Sequence, residues 1–472
     1  MHLNKTTIAE EFNKFLNSII DLPKSEENLI VASFSFEISS IEIIKLITSN
    51  LVKNNDFFYW KITNEKLEFL ACCPLLSFNE FGEERLTKTH NKIHSIEKTF
   101  KSNWNDNNLT DIPLVVGGMK FSPDQTSNIW EDFSDSDWFI PKFLFFNQKN
   151  KTHLIYNSTI SENHQNDLNK FSNLLEDLET LSFTEKSENG IINSLYPIAT
   201  NSYTSWANIV NKALKKISNG LLTKVVLSRE VRYKLQNEAN IENYLSFLAE
   251  KYPKCYTFAF RRNKSTFFGA SPEKLARISK GWIEVDALAG SAPRGKDKIE
   301  DVEMENFLLH SEKNLFEQRA VVYFIHNLLM KISDDIIFED EPIIRKLPNI
   351  QHLWTIIRAK LKRDTKLFDV LMRLHPTPAI CGDPWKIAKN FILEMEPHDR
   401  GLYSGNIGWF NFNGSGEFAV GIRSAIIKED MLHAYAGCGI VEGSEAKAEY
   451  EESEIKLKPI LSLFVNEKVY QP

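Results

Sequence analysis

Apolar residues recur along this chain with two periods. In the first 175 residues, short runs at Leu29–Phe36, Phe57–Trp60, Leu114–Gly118 and Leu144–Asn147 read as strands between polar, Asn- and Ser-rich connections. Farther on, LLTKVVLSREV (221–231) alternates as a strand, with Lys224, Val226 and Ser228 on one face. Cys255–Phe260, Ser265–Gly269 and Trp282–Leu288 read as further strands. From about Ile299 to Lys331 the period becomes helical, predicting one helix. NFNGSGEFAVGIRSAIIK (411–428) predicts a hairpin turning at Asn413-Gly414-Ser415-Gly416, with Arg423 inside its second strand. A last helix is expected from about Ala446 to Phe464. The Ser-, Glu- and Asn-rich stretch 177–202 is the best candidate boundary, dividing the chain into 1–190 and 191–472.

Acidic residues occupy positions in these helices that a core normally claims. Glu317 shares a stripe with Ala320, Val321, Phe324 and Leu328. An unpaired buried carboxylate costs several kcal/mol or becomes protonated, so a cation or donor must face it. A simple salt bridge meets that need, and so does a metal ion. Glu449, Glu452 and Lys456 form a row at i, i+3 and i+7 that continues into Ile460 and Leu463, while Glu451 and Glu454 point elsewhere, to solvent. Two inward carboxylates from separate helices suit a hard divalent cation such as Mg²⁺, which takes one or two protein carboxylates and completes its shell with water and substrate oxygens. A merely polar helix face is the alternative. Arg423 sits among apolar residues, and its planar fork matches a carboxylate. Gly437 and Gly439 allow close approach of backbone to a ligand, or mark a bend with no ligand.

Composition removes several classes of function. The 472 residues are 42% hydrophobic and 25% charged, with a net charge of -7, and no basic stripe suits a nucleic acid. No run of about 18 apolar residues predicts a membrane helix. The first twenty residues carry charges throughout, unlike a secretory signal, so a cytoplasmic location is expected. Of the five cysteines, adjacent Cys72 and Cys73 should point to opposite faces of a strand and make poor disulfide partners; all five are expected to be reduced.

Nine segments in order resemble the chorismate-binding enzymes, which include anthranilate, aminodeoxychorismate, salicylate and isochorismate synthases. They are KVVLSR (224–229), GASPEKL (269–275), LAGSAPRG (288–295), SEKNLFE (311–317), LHPTPAICG (374–382), YSGNIGWF (403–410), GIRSA (421–425), AGCGIV (436–441) and EYEESEIKLKP (449–459). They cover roughly residues 200–465; VVGGMKFSP and WFIPKFLFF resemble the longer isochorismate synthases more loosely. The resemblance implies an α+β fold like that of anthranilate synthase component I, with two large antiparallel sheets packed face to face and helices outside. It also implies one interleaved unit across the boundary near 190.

Within the family, the Lys of KVVLSR resembles the enzymes that add water at C2 of chorismate, where anthranilate synthases typically carry Gln. Ala289 stands where aminodeoxychorismate synthases place a nucleophilic lysine. The resemblance therefore implies a Mg²⁺-dependent isochorismate synthase with chorismate as its partner; a monomer is expected, and the composition predicts neither nucleic acid nor membrane as partner. Salicylate synthase is the second reading, although Ile422 before the arginine argues for stopping at isochorismate. A non-catalytic chorismate binder is the third. The long N-terminal region leans towards menaquinone over siderophore or salicylate pathways.

Roles carried over on these motifs make Lys224 the general base, its basicity tuned by burial or nearby positive charge, and Glu273 the general acid, with a raised pKa. Glu317 and Glu452 would hold the metal, and Glu449 would support it from behind or through water. Gly290 and Ser291 would bind the ring carboxylate. Tyr403 and Arg423, with Gly437, Gly439 and Lys456, would bind the enolpyruvyl carboxylate. His375 would lie near the reacting edge of the ring or serve as a structural histidine. Asn314 and Gln318 depart from the acid and histidine that many relatives carry around the metal-binding Glu.

Overall fold

The structure, a computed structural model, describes residues 4–19, 30–107, 109, 111–123, 127–148, 151–160, 164–182, 194–200, 202–363, 365 and 367–464. Leu29 and, within the expected boundary stretch, residues 183–193 and 201 lie outside the described residues. Alternating sequence becomes two large sheets. The first runs from Lys101–Ser102 and Val31–Ile38 through Lys151–Thr159, Ser136–Gln148, Leu67–Glu80, Phe57–Ile62, Tyr256–Arg262, Ser265–Ser271, Ser424–Lys428 and Met431–Ile440 to Lys224–Leu235 and Leu195–Thr200. The second runs from Val115–Met119 through Asn406–Phe410, Gly416–Val420, Lys274–Ser279 and Trp282–Pro293 to Ile350–Leu361, which also takes Ser333–Ile337 and Ile343–Lys346. All these pairings are antiparallel except that of Val31–Ile38 with Lys101–Ser102. The sheets join where the long strand Ser136–Gln148 pairs with Val115–Met119 at one end and Lys151–Thr159 at the other.

The period of two sorts the side chains. Phe58, Trp60, Phe258 and Phe260 face inward and meet Val116, Ile407, Phe418 and Val285 of the second sheet in one core. Their neighbours Phe57, Tyr59 and Ala259 face outward, against the helices Lys5–Ile19 and Ile241–Lys251. Each buried aromatic contributes about 1.5–3 kcal/mol relative to exposure. The fold is α+β, and its first sheet interleaves strands from both ends of the chain: Phe57–Ile62 lies against Tyr256–Arg262.

Several expectations need correction. The helix expected over 299–331 is two, Lys298–His310 and Glu312–Leu329. Ser311 breaks them because its hydroxyl accepts from the Asn314 amide and caps the second helix. The hairpin keeps its turn, with Asn411 receiving the amides of Asn413 and Ser415, but its second strand stops at Val420. Ser424–Lys428 belongs to the other sheet. Arg423 is therefore not in a strand; it stands at the crossover with a left-handed φ of +52°. Glu454 is half-exposed, and it also pairs with buried Arg229 at 2.7 Å.

Cys72 and Cys73 do not sit on opposite faces. Cys73 adopts φ +57° just before the register shift between Pro74 and Leu76, so both side chains pack against the same apolar cluster. A left-handed residue breaks the alternation that an extended strand would impose.

Candidate active site

Pairing of the strand Lys224–Leu235 with Met431–Ile440 sets Val226 beside Gly439 and Ser228 beside Gly437. Lys224 is buried, and its Nζ donates to Glu317 Oε1 at 2.6 Å. Its partner is thus a carboxylate and not the positive charge considered from sequence. Gly439 permits this packing: a Cβ there would lie 2.8 Å from Glu317 Oε1 and 2.9 Å from Lys224 Cε. At Gly437 a Cβ would come within 3.0 Å of the Tyr403 hydroxyl.

Beside this pair is a cavity of about 280 Å³, lined among others by Glu273, Gly290, Tyr403, Arg423, Glu452 and Lys456. Ser291, Gly437, Gly439, Glu449 and Glu317 line it too. Lys224 lines a second cavity of about 710 Å³, and Glu317 borders both. Lys224 therefore meets the smaller cavity through the Glu317 carboxylate. His375 lies on the larger cavity, away from Arg423 and Tyr403.

Burial dominates the electrostatics. It pushes the Glu273 carboxyl up to about 8, reinforced by Asp286 and opposed by Lys224, Arg345 and Lys456. Burial also raises Glu449, and the neighbouring Glu452 adds to the rise. For Glu452 burial pulls upward too, but Lys456 at 2.6 Å outweighs it and the carboxyl ends lower than usual. Burial would depress Lys456; Glu452 reverses this and raises it, and the same ammonium donates to the Gly437 carbonyl at 3.0 Å. Tyr403 is pushed up to about 12 by burial and stacks on Tyr435 at 5.2 Å. His375 falls to about 3, through burial and then Arg85.

Arg423 is buried, and among the described residues its Nη1 has no hydrogen-bond partner. A buried guanidinium nitrogen on a cavity wall, with nothing to donate to, is set to receive an anion. Its Nη2 lies 3.5 Å from His352 Nε2. His352 Nδ1 faces the Gly290 carbonyl at 3.3 Å and the Ser291 hydroxyl at 2.9 Å. Burial, then Arg423 and Lys456, keeps this ring neutral. A proton on Nδ1 satisfies the carbonyl and leaves Nε2 to accept from Arg423.

Four carboxyl groups line the smaller cavity: Glu273, Glu317, Glu449 and Glu452. Ligand atoms of Glu449, Glu452 and Cys438 lie within 4.8 Å of one another; Glu317 is not in that group, being held by Lys224. Each of the two carboxylates is met by an ammonium, Glu449 by Lys313 and Glu452 by Lys456, and their oxygens are of the hard type that Mg²⁺ takes. The Cys438 thiol is engaged with the Glu449 carbonyl at 3.1 Å. Asn314 and Gln318 play other parts: Asn314 Oδ1 accepts from the Ser291 amide at 3.3 Å, and Gln318 Nε2 donates to the Ala287 carbonyl at 2.9 Å.

The chorismate binding enzyme family matches residues 14–465. The isochorismate synthase MenF of Bacillus subtilis is 30% identical over 472 residues, 98% of this chain and 99% of its own. The chain belongs to the chorismate-binding enzyme family. The isochorismate synthase MenF of Haemophilus influenzae is 33% identical over 359 residues, 75% of this chain and 78% of its own. The structure of MenF, the menaquinone-specific isochorismate synthase of Escherichia coli, shares the fold with a TM-score of 0.79. It covers 98% of this chain and 99% of that one at 23% identity. Among the described residues no helix is long and apolar enough to cross a membrane.

Sequence reasoning missed several groups that this family member builds around the cavity. His352 was hidden in QHLWT, where a strand pattern predominates; a histidine at a buried position of Ile350–Leu361 was its one signal. Lys313, which donates to Glu449 at 3.1 Å, looked like a surface charge. Behind the cavity, Arg400 is fully buried, ion-paired to Glu396, and donates to the Ile380 and Val226 carbonyls at 3.0 and 2.8 Å. Glu396 also accepts from the Ser228 amide at 2.6 Å. This network pins the strand that carries Lys224.

Proposed function

We propose that the protein is an isochorismate synthase, an isomerase that converts chorismate to isochorismate by adding water at C2 and releasing the C4 hydroxyl. The observation that carries the reading is Glu273: a buried carboxyl pushed up to about 8 on the wall of a cavity that also holds Arg423, Tyr403 and Lys456. A group in that state donates a proton at neutral pH. The full-length likeness to a relative named isochorismate synthase supports the same reading.

In this scheme Lys224 acts as a neutral amine: it first gives up the ammonium proton that it donates to Glu317, and then takes the proton of the incoming water. Glu273 protonates the departing hydroxyl, and the two exchange roles in the reverse direction. The unpartnered Nη1 of Arg423 pairs with the enolpyruvyl carboxylate, beside Tyr403 and Lys456. His352 orients the guanidinium, and Gly290 and Ser291 face the ring carboxylate. Glu317, Glu449 and Glu452 would hold Mg²⁺, which when bound offsets the ring carboxylate and draws electron density from the diene. His375 borders the larger cavity on the side of Lys224, where it flanks the incoming water. The two stretches either side of residue 190 work as one unit. The full-length match to the menaquinone-specific enzyme's fold supports a product destined for menaquinone.

Chromatography after incubating the purified protein with chorismate and Mg²⁺ tests the reading. Isochorismate in equilibrium with chorismate is expected, with none formed in the presence of a chelator. Salicylate and pyruvate would move the assignment to salicylate synthase, and no consumption of chorismate would end both readings.

A further inference from the structure

Far from this cavity, the left-handed turn at Cys73 does more than bend a strand. It brings two consecutive thiols to one side, where both pack on the same cluster. Cys72 is fully buried, and the Cys73 thiol donates to the Leu51 carbonyl at 3.8 Å. Cys73 is half-buried and lies on the wall of a separate cavity of about 700 Å³, together with Lys142 and Lys170. Cys255, Cys381 and Cys438 are all buried.

We propose that Cys72 and Cys73 form an oxidisable dithiol site, with Cys73 the attacking thiol and Cys72 the resolving one, whose reagent is a peroxide entering through this cavity. Cys73 sulfur attacks one peroxide oxygen, the O–O bond breaks, and sulfenic acid and water form. Cys72 sulfur then displaces the sulfenic oxygen as a second water and closes the disulfide. Two thiols and one peroxide thus yield one disulfide and two waters, with the sulfurs oxidised and the peroxide reduced.

The electrostatics agree with this division of labour. The neighbouring Cys72 thiol lowers the Cys73 pKa against the pull of burial, and Lys142 adds to the lowering. Burial raises Cys72 well above its ordinary value. An acidified, reachable thiol beside a protonated partner is the arrangement of a sensing cysteine and its resolver. The site is independent of the chorismate reading.

Intact protein treated with equimolar hydrogen peroxide, then alkylated, digested and weighed, provides the test. Cys73 should be oxidised at least about tenfold faster than Cys255, Cys381 or Cys438. The peptide holding Cys72 and Cys73 should lose two hydrogens. Cys72→Ser should halt at a sulfenic acid that dimedone traps, and Cys73→Ser should leave Cys72 reduced. A Cys73 no faster than the three buried thiols would overturn the proposal. So would wild-type Cys73 that collects dimedone as readily as the Cys72→Ser variant. Because the readout is mass, failure of the isochorismate assay leaves this result intact.

Discussion

Glu273 sets catalysis against stability within a single side chain. Its carboxyl titrates near 8 in the folded protein against an ordinary 4.5. Between those values the unfolded chain has lost the proton that the folded chain keeps, so stability falls as pH rises through this window. The stabilisation is complete below about 4.5 and gone above about 8, on the order of a few kcal/mol. Glu273→Gln removes the titration. The variant should melt higher than the wild type at pH 8–9 yet show no advantage near pH 4.5, and scanning calorimetry at the two values checks it. Its turnover should fall roughly 10²–10⁴-fold with little change in chorismate affinity. In the wild type the forward rate should decline as pH rises through about 8, because the acid form is lost. Glu273 was legible in the sequence through its Ser-Pro-Glu motif, but the charge of Asp286 acting on it was not. Nor was the bond between Lys224 and Glu317, which joins residues 93 positions apart. Local pattern carries no information about such partners, and left-handed φ values at Cys73 and Arg423 give no compositional sign either.

The strand Lys224–Leu235 owes its placement to more than its ladder with Met431–Ile440. Glu396 accepts from the Ser228 amide and hydroxyl, and Arg400 ties the Val226 and Ile380 carbonyls to the same carboxylate. Glu396→Gln leaves the fully buried Arg400 charge unpaired and should cost about 3–5 kcal/mol, read as a lowered midpoint in urea. Most strands in this part of the chain were legible because alternation survives wherever one face is core. Helix ends were less so. Ser311 splits what looked like one helix, since apolar spacing continues across the cap while the backbone does not. The stretch 416–428 reads as one strand in hydrophobicity, but it serves two sheets, and pattern alone cannot register a change of partner.

Across the whole molecule, the proposed catalytic residues all come from beyond residue 190, yet the sheets that position them are completed from the other half. Tyr256–Arg262 needs Phe57–Ile62 beside it, and Asn406–Phe410 needs Val115–Met119. A fragment spanning 191–472 would expose two long apolar strand edges and should aggregate or lack near-ultraviolet circular dichroism. A soluble fragment with native-like spectra would show that the halves fold separately. The family motifs in sequence were dense after residue 200 and sparse before it, because the first half contributes packing to the cavity's scaffold and few groups to its wall.

In the proposed reaction water enters at C2 as the C4 hydroxyl leaves. Running the reaction with chorismate and Mg²⁺ in oxygen-18-enriched water tests it directly. Isochorismate carrying a heavy oxygen at C2 is the predicted result, and Lys224→Ala and Glu273→Gln should form little of it. Isochorismate with an unlabelled C2 hydroxyl, or no isochorismate at all, would contradict the account.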